Sequence, residues 1–233
     1  MQNESVISKP LIDWAVASRA LSGEAVCGDL HLIKPIPDGV LLAVADGLGH
    51  GDEATVAART ALAILEEHSE EPLEALVTRC HDALRKTRGA VMTVATLNSF
   101  SFEGRLAWLG VGNVEAVLLR AGDQTKTSLE CVRLRKSGDT EMFKRLGKAL
   151  SERVVLRSGI VGYRLPELRT STQAIQPGDL LLFVTDGISA GFTGDLPPGD
   201  PPQQLADLIL ERHFKGTDDA LVLVVRYVGT NHE

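Results

Sequence analysis

The stretch LLAVADGLGHG, residues 41–51, carries five apolar residues into an aspartate and then places three glycines within five positions. A continuous apolar run after Pro37-Asp38 reads as a strand buried on both faces, over 39–45. A second stretch, LLFVTDGISAG at 181–191, matches the first at six of eleven positions, including the Asp-Gly pair. A single Asp-Gly at a strand end is ordinary turn chemistry, because both residues favour turns. Two such ends on two buried strands point to a site that needs paired carboxylates. The flanks do not match, DEATVAART following the first stretch and FTGDLPPGD the second, so the echo is not a tandem repeat.

Outward from these strands the chain reads mostly as β-structure. Strands are expected at 12–20, 27–36, 90–99, 105–111, 115–120, 128–134, 170–175, 179–185 and 220–228. Glu103-Gly104 and Gly112-Asn113 are placed like hairpin turns. Helices are expected at 52–67, 72–86 and 203–214; the second opens at Pro72 and carries Leu73, Leu76, Val77, Cys80 and Leu84 on one face. Parallel crossovers alternate strand and helix, which this order does not do. The expectation is therefore an α+β fold, a four-layer α-β-β-α sandwich of two mainly antiparallel sheets flanked by helices. No internal linker is evident, so residues 1–233 read as a single domain, with the charged segment 135–158 as a surface insertion.

Composition narrows the function. With 44% hydrophobic residues and a formal charge of −7, the chain has the means for a core but lacks the basic face that nucleic acid or an anionic membrane requires. Cysteines 27, 80 and 131 are odd in number and show no CxxC spacing, which suits a reducing compartment. No signal-like N-terminus and no membrane-length apolar run is seen, so a soluble cytoplasmic protein, a monomer, is expected.

The candidate acids are Asp29, Asp46, Asp186, Asp218 and Asp219. If strands 179–185 and 220–228 pair antiparallel, Asp186 and Asp218 meet at one sheet edge. Carboxylates crowded there repel one another unless a cation neutralises them. Without a His or Cys cluster, the natural partner is a hard divalent ion, Mn2+ or Mg2+. Glycine after each Asp would let the backbone turn and bring a carbonyl to the ion. Other chemistries fit less well: none of the cysteines begins a Cys-x5-Arg loop, no GxxxxGK[ST] occurs, and GLGHGD sets Asp52 where a dinucleotide turn needs glycine. His50 is expected to serve a positional or hydrogen-bonding role, since nothing near it in sequence orients it.

At these residues the sequence resembles the metal-dependent Ser/Thr protein phosphatases of type 2C, in their bacterial sporulation and stress-response branch (SpoIIE, RsbU, RsbX). ADGLGHG, PGDLLLFVTDGI and DDALVLVV match that branch's successive motifs in order, AVMTVATL (90–97) is similar to its central threonine-bearing strand with Thr93 in place, and RSGIVGYRLPEL (157–168) is similar to a stretch of its stressosome phosphatases. The resemblance covers roughly residues 12–228. It implies two ions, Mn2+ or Mg2+. Asp46 would bridge both, with the Gly47 carbonyl on one, Asp186 and Asp218 on the other, and Asp29 acting through bound water. Asp219 is a weaker ligand candidate. Asp46 and Asp29 would be the catalytic pair, and water activated by the metals would attack phosphoserine or phosphothreonine directly. Two positions depart from the pattern. Asn113 stands where larger relatives carry an acid that serves a third metal, and Glu24 stands where many relatives carry a phosphate-clamping arginine.

The function implied is a bacterial phosphatase that resets a stressosome-type complex by dephosphorylating its scaffold or anti-sigma-antagonist proteins. Three alternatives stay open: a phosphatase of a free phosphorylated anti-anti-sigma factor, a catalytically silent phosphatase-like binding module, and a nucleotide-binding domain built on GLGHG.

Overall fold

The apolar run at 40–45 becomes the middle of a strand whose side chains are all buried, so both of its faces need cover. A computed structural model of the chain describes residues 10–100, 103–121, 151–194, 196–197 and 199–229. In chain order the strands are β1 (Ile12–Arg19), β2 (Asp29–Ile36), β3 (Gly39–Gly47), β4 (Ala90–Phe100), β5 (Glu103–Val111), β6 (Glu115–Leu119), β7 (Ser151–Arg153), β8 (Leu156–Arg157), β9 (Ser171–Ile175), β10 (Leu180–Val184) and β11 (Ala220–Tyr227). Helices α1 (Gly51–Glu67) and α2 (Leu73–Leu84) fall between β3 and β4, and α3 (Pro202–His213) falls between β10 and β11.

The strands form two sheets. One runs β1-β11-β10-β6-β7 and the other β2-β3-β4-β5-β8, with β9 also pairing β5. Every pairing is antiparallel except the short β5–β8 contact. The inner faces meet in a core where Leu42, Val44, Leu106 and Trp108 of the second sheet pack against Leu181, Phe183, Leu223 and Val225 of the first. The period-2 geometry of a strand sends alternate residues outward. Leu41, Ala43 and Ala45 therefore face α1 and α2, meeting Ala57, Ala61, Leu76 and Cys80. On the opposite side Leu180, Leu182, Val222 and Val224 face Leu205 and Ile209 of α3. The layers are helix, sheet, sheet, helix, as the element order implied. Small alanines on α1 let the helix axis lie close to β3, which brings the α1 N-terminus over the end of that strand.

Residues 151–157, within the stretch expected to be a surface insertion, are β7 and β8. They extend the two sheets, and Val154 between them is buried in the core. The expected strand at 128–134 and the first part of that stretch lie outside the described residues. Among the described residues no helix is long and apolar enough to cross a membrane.

Candidate metal centre

The β2–β3 register sets Asp29 directly opposite Asp46, so the first residue of one strand faces the penultimate residue of the other. In the second sheet β10 and β11 pair antiparallel, as the sequence suggested, with Val184 opposite Val222. Asp186 thus leaves the end of β10 beside Asp218 and Asp219, which precede β11. All five acids gather at one end of the sandwich, and polar bonds join the two sheets there. Thr185 Oγ1 donates to Asp29 Oδ2 at 2.7 Å and accepts the Leu221 N–H at 2.8 Å.

The electrostatics show how closely the acids stand. Burial, followed by the charges of Asp29, Asp186, Asp218 and Asp219, pushes the Asp46 carboxyl up to about 9. Burial also raises Asp29, to about 7; the Thr185 hydrogen bond pulls it down, and the charges of Asp219, Asp186 and Asp218 push it up. Asp186 is raised by burial and by Asp218, against the opposing effects of Lys215 and of a hydrogen bond from Asn113. Among the described residues no three acidic, His or Cys side chains converge tightly enough to form a ready-made ion cage. The carboxylates nevertheless lie within electrostatic range of one another. The donor set fits a hard divalent cation, being all oxygen, crowded and negative.

The acids differ in what already holds them. Asp219 is buried, and both its oxygens are engaged: Oδ1 accepts the Leu21 N–H and Oδ2 the Gly28 N–H, each at 2.7 Å. It braces the two ends of the β1–β2 connection. Asp218 accepts the N–H of Asp219. Asp186 Oδ2 accepts from Asn113 Nδ2 at 2.8 Å, so Asn113 works as a donor to an acid rather than as an acid itself. The Asp46 carboxylate accepts no hydrogen bond from the described residues, which leaves its oxygens the most open of the set.

The glycines after the two aspartates have a different reason from the expected sharp turn. Neither Gly47 nor Gly187 has a positive φ. A Cβ on Gly47 would lie 1.9 Å from the Ala54 carbonyl oxygen, and one on Gly187 would lie 2.0 Å from that of Asp219. Each glycine admits a neighbouring backbone against the site.

His50 is oriented after all. Its Nδ1 lies 2.5 Å from Glu24 Oε1, a partner 26 residues away in sequence, and Glu24 occupies the position expected for a phosphate-clamping arginine. Cys27, beside Asp29, is pushed up to about 12 by burial, so the thiol is no nucleophile. Thr93 is fully buried and donates to the Val114 carbonyl at 2.6 Å, tying β4 to the β5–β6 turn.

Residues 36–135 match the family model "Stage II sporulation protein E (SpoIIE)". A segment of 97 residues is 33% identical to phosphoserine phosphatase RsbX of Bacillus subtilis (strain 168). Over residues 36–135 the chain is similar to the SpoIIE family. This homology to RsbX spans 41% of the chain and 47% of the RsbX length, so the chain matches about half of that curated relative. A solved structure from work on the bacterial stressosome, as a modular system adapted to control secondary messenger signalling, superposes with a TM-score of 0.73. It is 29% identical and covers 92% of this chain and 99% of that one. A crystal structure of RsbX in complex with magnesium superposes with a TM-score of 0.72 at 21% identity, covering 97% of each chain. The chain therefore shares its α-β-β-α sandwich with these two structures along nearly its whole length.

Proposed function

We propose that this protein is a divalent-metal-dependent phosphoserine/phosphothreonine protein phosphatase that acts on a phosphorylated component of a stressosome-type complex. The observation that carries the reading is the set of carboxylates gathered at one sandwich end, Asp29, Asp46, Asp186 and Asp218, the first two driven far above their usual range by burial first and by one another's charge second. The homology to a phosphoserine phosphatase and to a stressosome structure supports the substrate class. Scaffold or antagonist proteins of such a complex are the proposed targets.

Asp46, Asp29, Asp186 and Asp218, with the Gly47 carbonyl, are the proposed holders of Mn2+ or Mg2+, two ions in all. Bound metal would lower the pKa of water and neutralise charge on the phosphoryl oxygens. The chain's own residues set the stage. The Asp46 carboxylate accepts no hydrogen bond from the described residues, so both its oxygens would be available to hold metal. Thr185 engages Asp29 Oδ2, which would leave Oδ1 to orient a water. Asn113 fixes the rotamer of Asp186. We place Asp219 as a brace of the β1–β2 connection rather than as a ligand, because backbone N–H groups take both its oxygens.

The test is hydrolysis of a phosphothreonine or phosphoserine peptide, and of a phosphorylated stressosome scaffold, with Mn2+, with excess EDTA, and with Asp46→Asn. Turnover that requires both metal and Asp46 is expected. Metal-independent turnover, or full activity of Asp46→Asn, would overturn the reading.

A further inference from the structure

At position 24, where the resemblance to the type 2C phosphatases implies a phosphate-clamping arginine, the chain carries Glu24, and Glu24 is engaged with His50. A cationic side chain beside a phosphoryl dianion makes a charge-assisted hydrogen bond, stronger than a neutral one. The cations around the site are mostly spent. Arg88 lies over Gly49 and is paired with Glu53, and the Arg19 guanidinium sits 4.9 Å above the Phe214 ring. Lys215 differs. Its exposed ammonium donates to the backbone carbonyl of Asp186 at 2.5 Å, and it forms no salt bridge with a carboxylate among the described residues.

The backbone holds Lys215 in that place. Its N–H donates to the Gly187 carbonyl at 2.9 Å, Ser189 N–H donates to the His213 carbonyl at 2.8 Å, and Phe214 bridges Ile188. The segment 213–215 is thus strapped along the turn that follows Asp186. One ammonium N–H is used on a neutral carbonyl and two remain. Lys215 is also the cation whose charge opposes the upward push on Asp186, which places it within electrostatic reach of the acids.

We propose that Lys215 is a substrate-binding residue whose ammonium donates to a phosphoryl oxygen of the substrate and of the product phosphate, in the place of the absent arginine. The inference rests on the phosphatase reading above. No bond to Lys215 is made or broken; it supplies charge and two donors at the rim next to Asp186.

Isothermal titration of inorganic phosphate into the Mg2+-loaded protein tests it, run beside a Mg2+ titration of the metal-free protein, for wild type, Lys215→Met and Lys215→Arg. The expected result is phosphate affinity about ten- to hundredfold weaker in Lys215→Met, largely kept in Lys215→Arg, with Mg2+ affinity equal in all three. Phosphate binding by Lys215→Met at wild-type strength overturns the inference and leaves the phosphatase reading standing. So does wild-type protein that loads metal but binds no phosphate. A parallel fall in Mg2+ affinity also overturns it, since Lys215 would then be a brace for Asp186. Wild-type protein that takes up no divalent metal removes the phosphatase reading itself, and this inference with it.

Discussion

Thr185 and Asp29, separated by 156 positions in sequence, are joined by a 2.7 Å hydrogen bond between the two sheets. Both are almost fully buried, and the same hydroxyl accepts the N–H of Leu221 on β11. One oxygen therefore ties together the end of β10, the start of β11 and the first residue of β2. Because the bond lies at the site end of the sandwich, the distance between the two sheets' carboxylates depends on it.

Replacing Thr185 with valine keeps the volume and deletes both bonds. The Leu221 N–H and Asp29 Oδ2 would then be buried without their partner, which costs about 1–3 kcal/mol of stability. Urea unfolding of the metal-free protein measures this, and Thr185→Ser should recover most of the loss. A valine variant as stable as wild type would show that the hydroxyl carries no structural weight.

Under the proposed metal-binding role, Asp46 should stabilise the fold only when a cation is present. In the metal-free protein burial and four neighbouring aspartates oppose its ionisation. Asp46→Asn removes that opposition, so in EDTA the variant should unfold later than wild type, by an amount of order 1 kcal/mol or more. Added Mn2+ should raise the melting temperature of wild type and leave that of the variant nearly unchanged. If the metal-free variant is the weaker of the two, the acids are not repelling one another as described.

The direction of pH dependence follows from the same groups. Unfolded, the Asp29 and Asp46 carboxyls release their protons near the ordinary value of 3.8; folded and without metal, they hold them to about 7 and about 9. Between these limits the folded state binds more protons than the unfolded state, so stability falls as pH rises through that window and levels off above it. Melting temperatures in EDTA at acid, neutral and alkaline pH should therefore decline across the window, while Mg2+ uptake, which displaces those protons, strengthens. Rising thermal stability across the same interval in EDTA would contradict the raised carboxyls.

Much of this end of the molecule is legible in the sequence because each acid is anchored to a strand terminus. The apolar runs before Asp46 and Asp186, and after Asp219, fix where those strands stop or start, and antiparallel pairing then brings the acids together. What sequence reading misses is set by contacts between distant segments. Glu24 and His50 lie on separate loops with no shared local pattern, and the Thr185–Asp29 bond crosses between sheets. Lys215 reaches the site through a turn strapped to residues 187–189, which no periodicity announces. Short strands such as β7 and β8 lack the length for a period-2 signal, so a charged stretch conceals them. The glycines of the two Asp-Gly pairs are visible, but their purpose is not: sequence suggests a turn, whereas the fold uses them for the approach of another backbone.

That distinction can be measured by comparing Gly47→Ala with Gly23→Ala. Gly23 has φ of 98° and nothing within 4 Å of an added Cβ, so alanine there meets only backbone strain, about 1–2 kcal/mol. At Gly47 the backbone angle suits any residue, yet the new methyl would sit 1.9 Å from the Ala54 carbonyl oxygen and 2.6 Å from its carbon. No flexible side chain can yield there. The first turns of α1 must move away from β3, and with them Thr55, whose single hydroxyl proton is shared between the Gly51 and Cys27 carbonyls at 2.9 and 3.2 Å. Overpacking of this kind costs about 1–3 kcal/mol or more, and it displaces the loop that carries Gly47 itself. Gly47→Ala should therefore lose more stability than Gly23→Ala in urea unfolding and bind Mg2+ more weakly, while Gly23→Ala keeps wild-type Mg2+ affinity. Equal stability and equal Mg2+ affinity of the two variants would mean that α1 is free to yield, and that the glycine after Asp46 serves the turn alone.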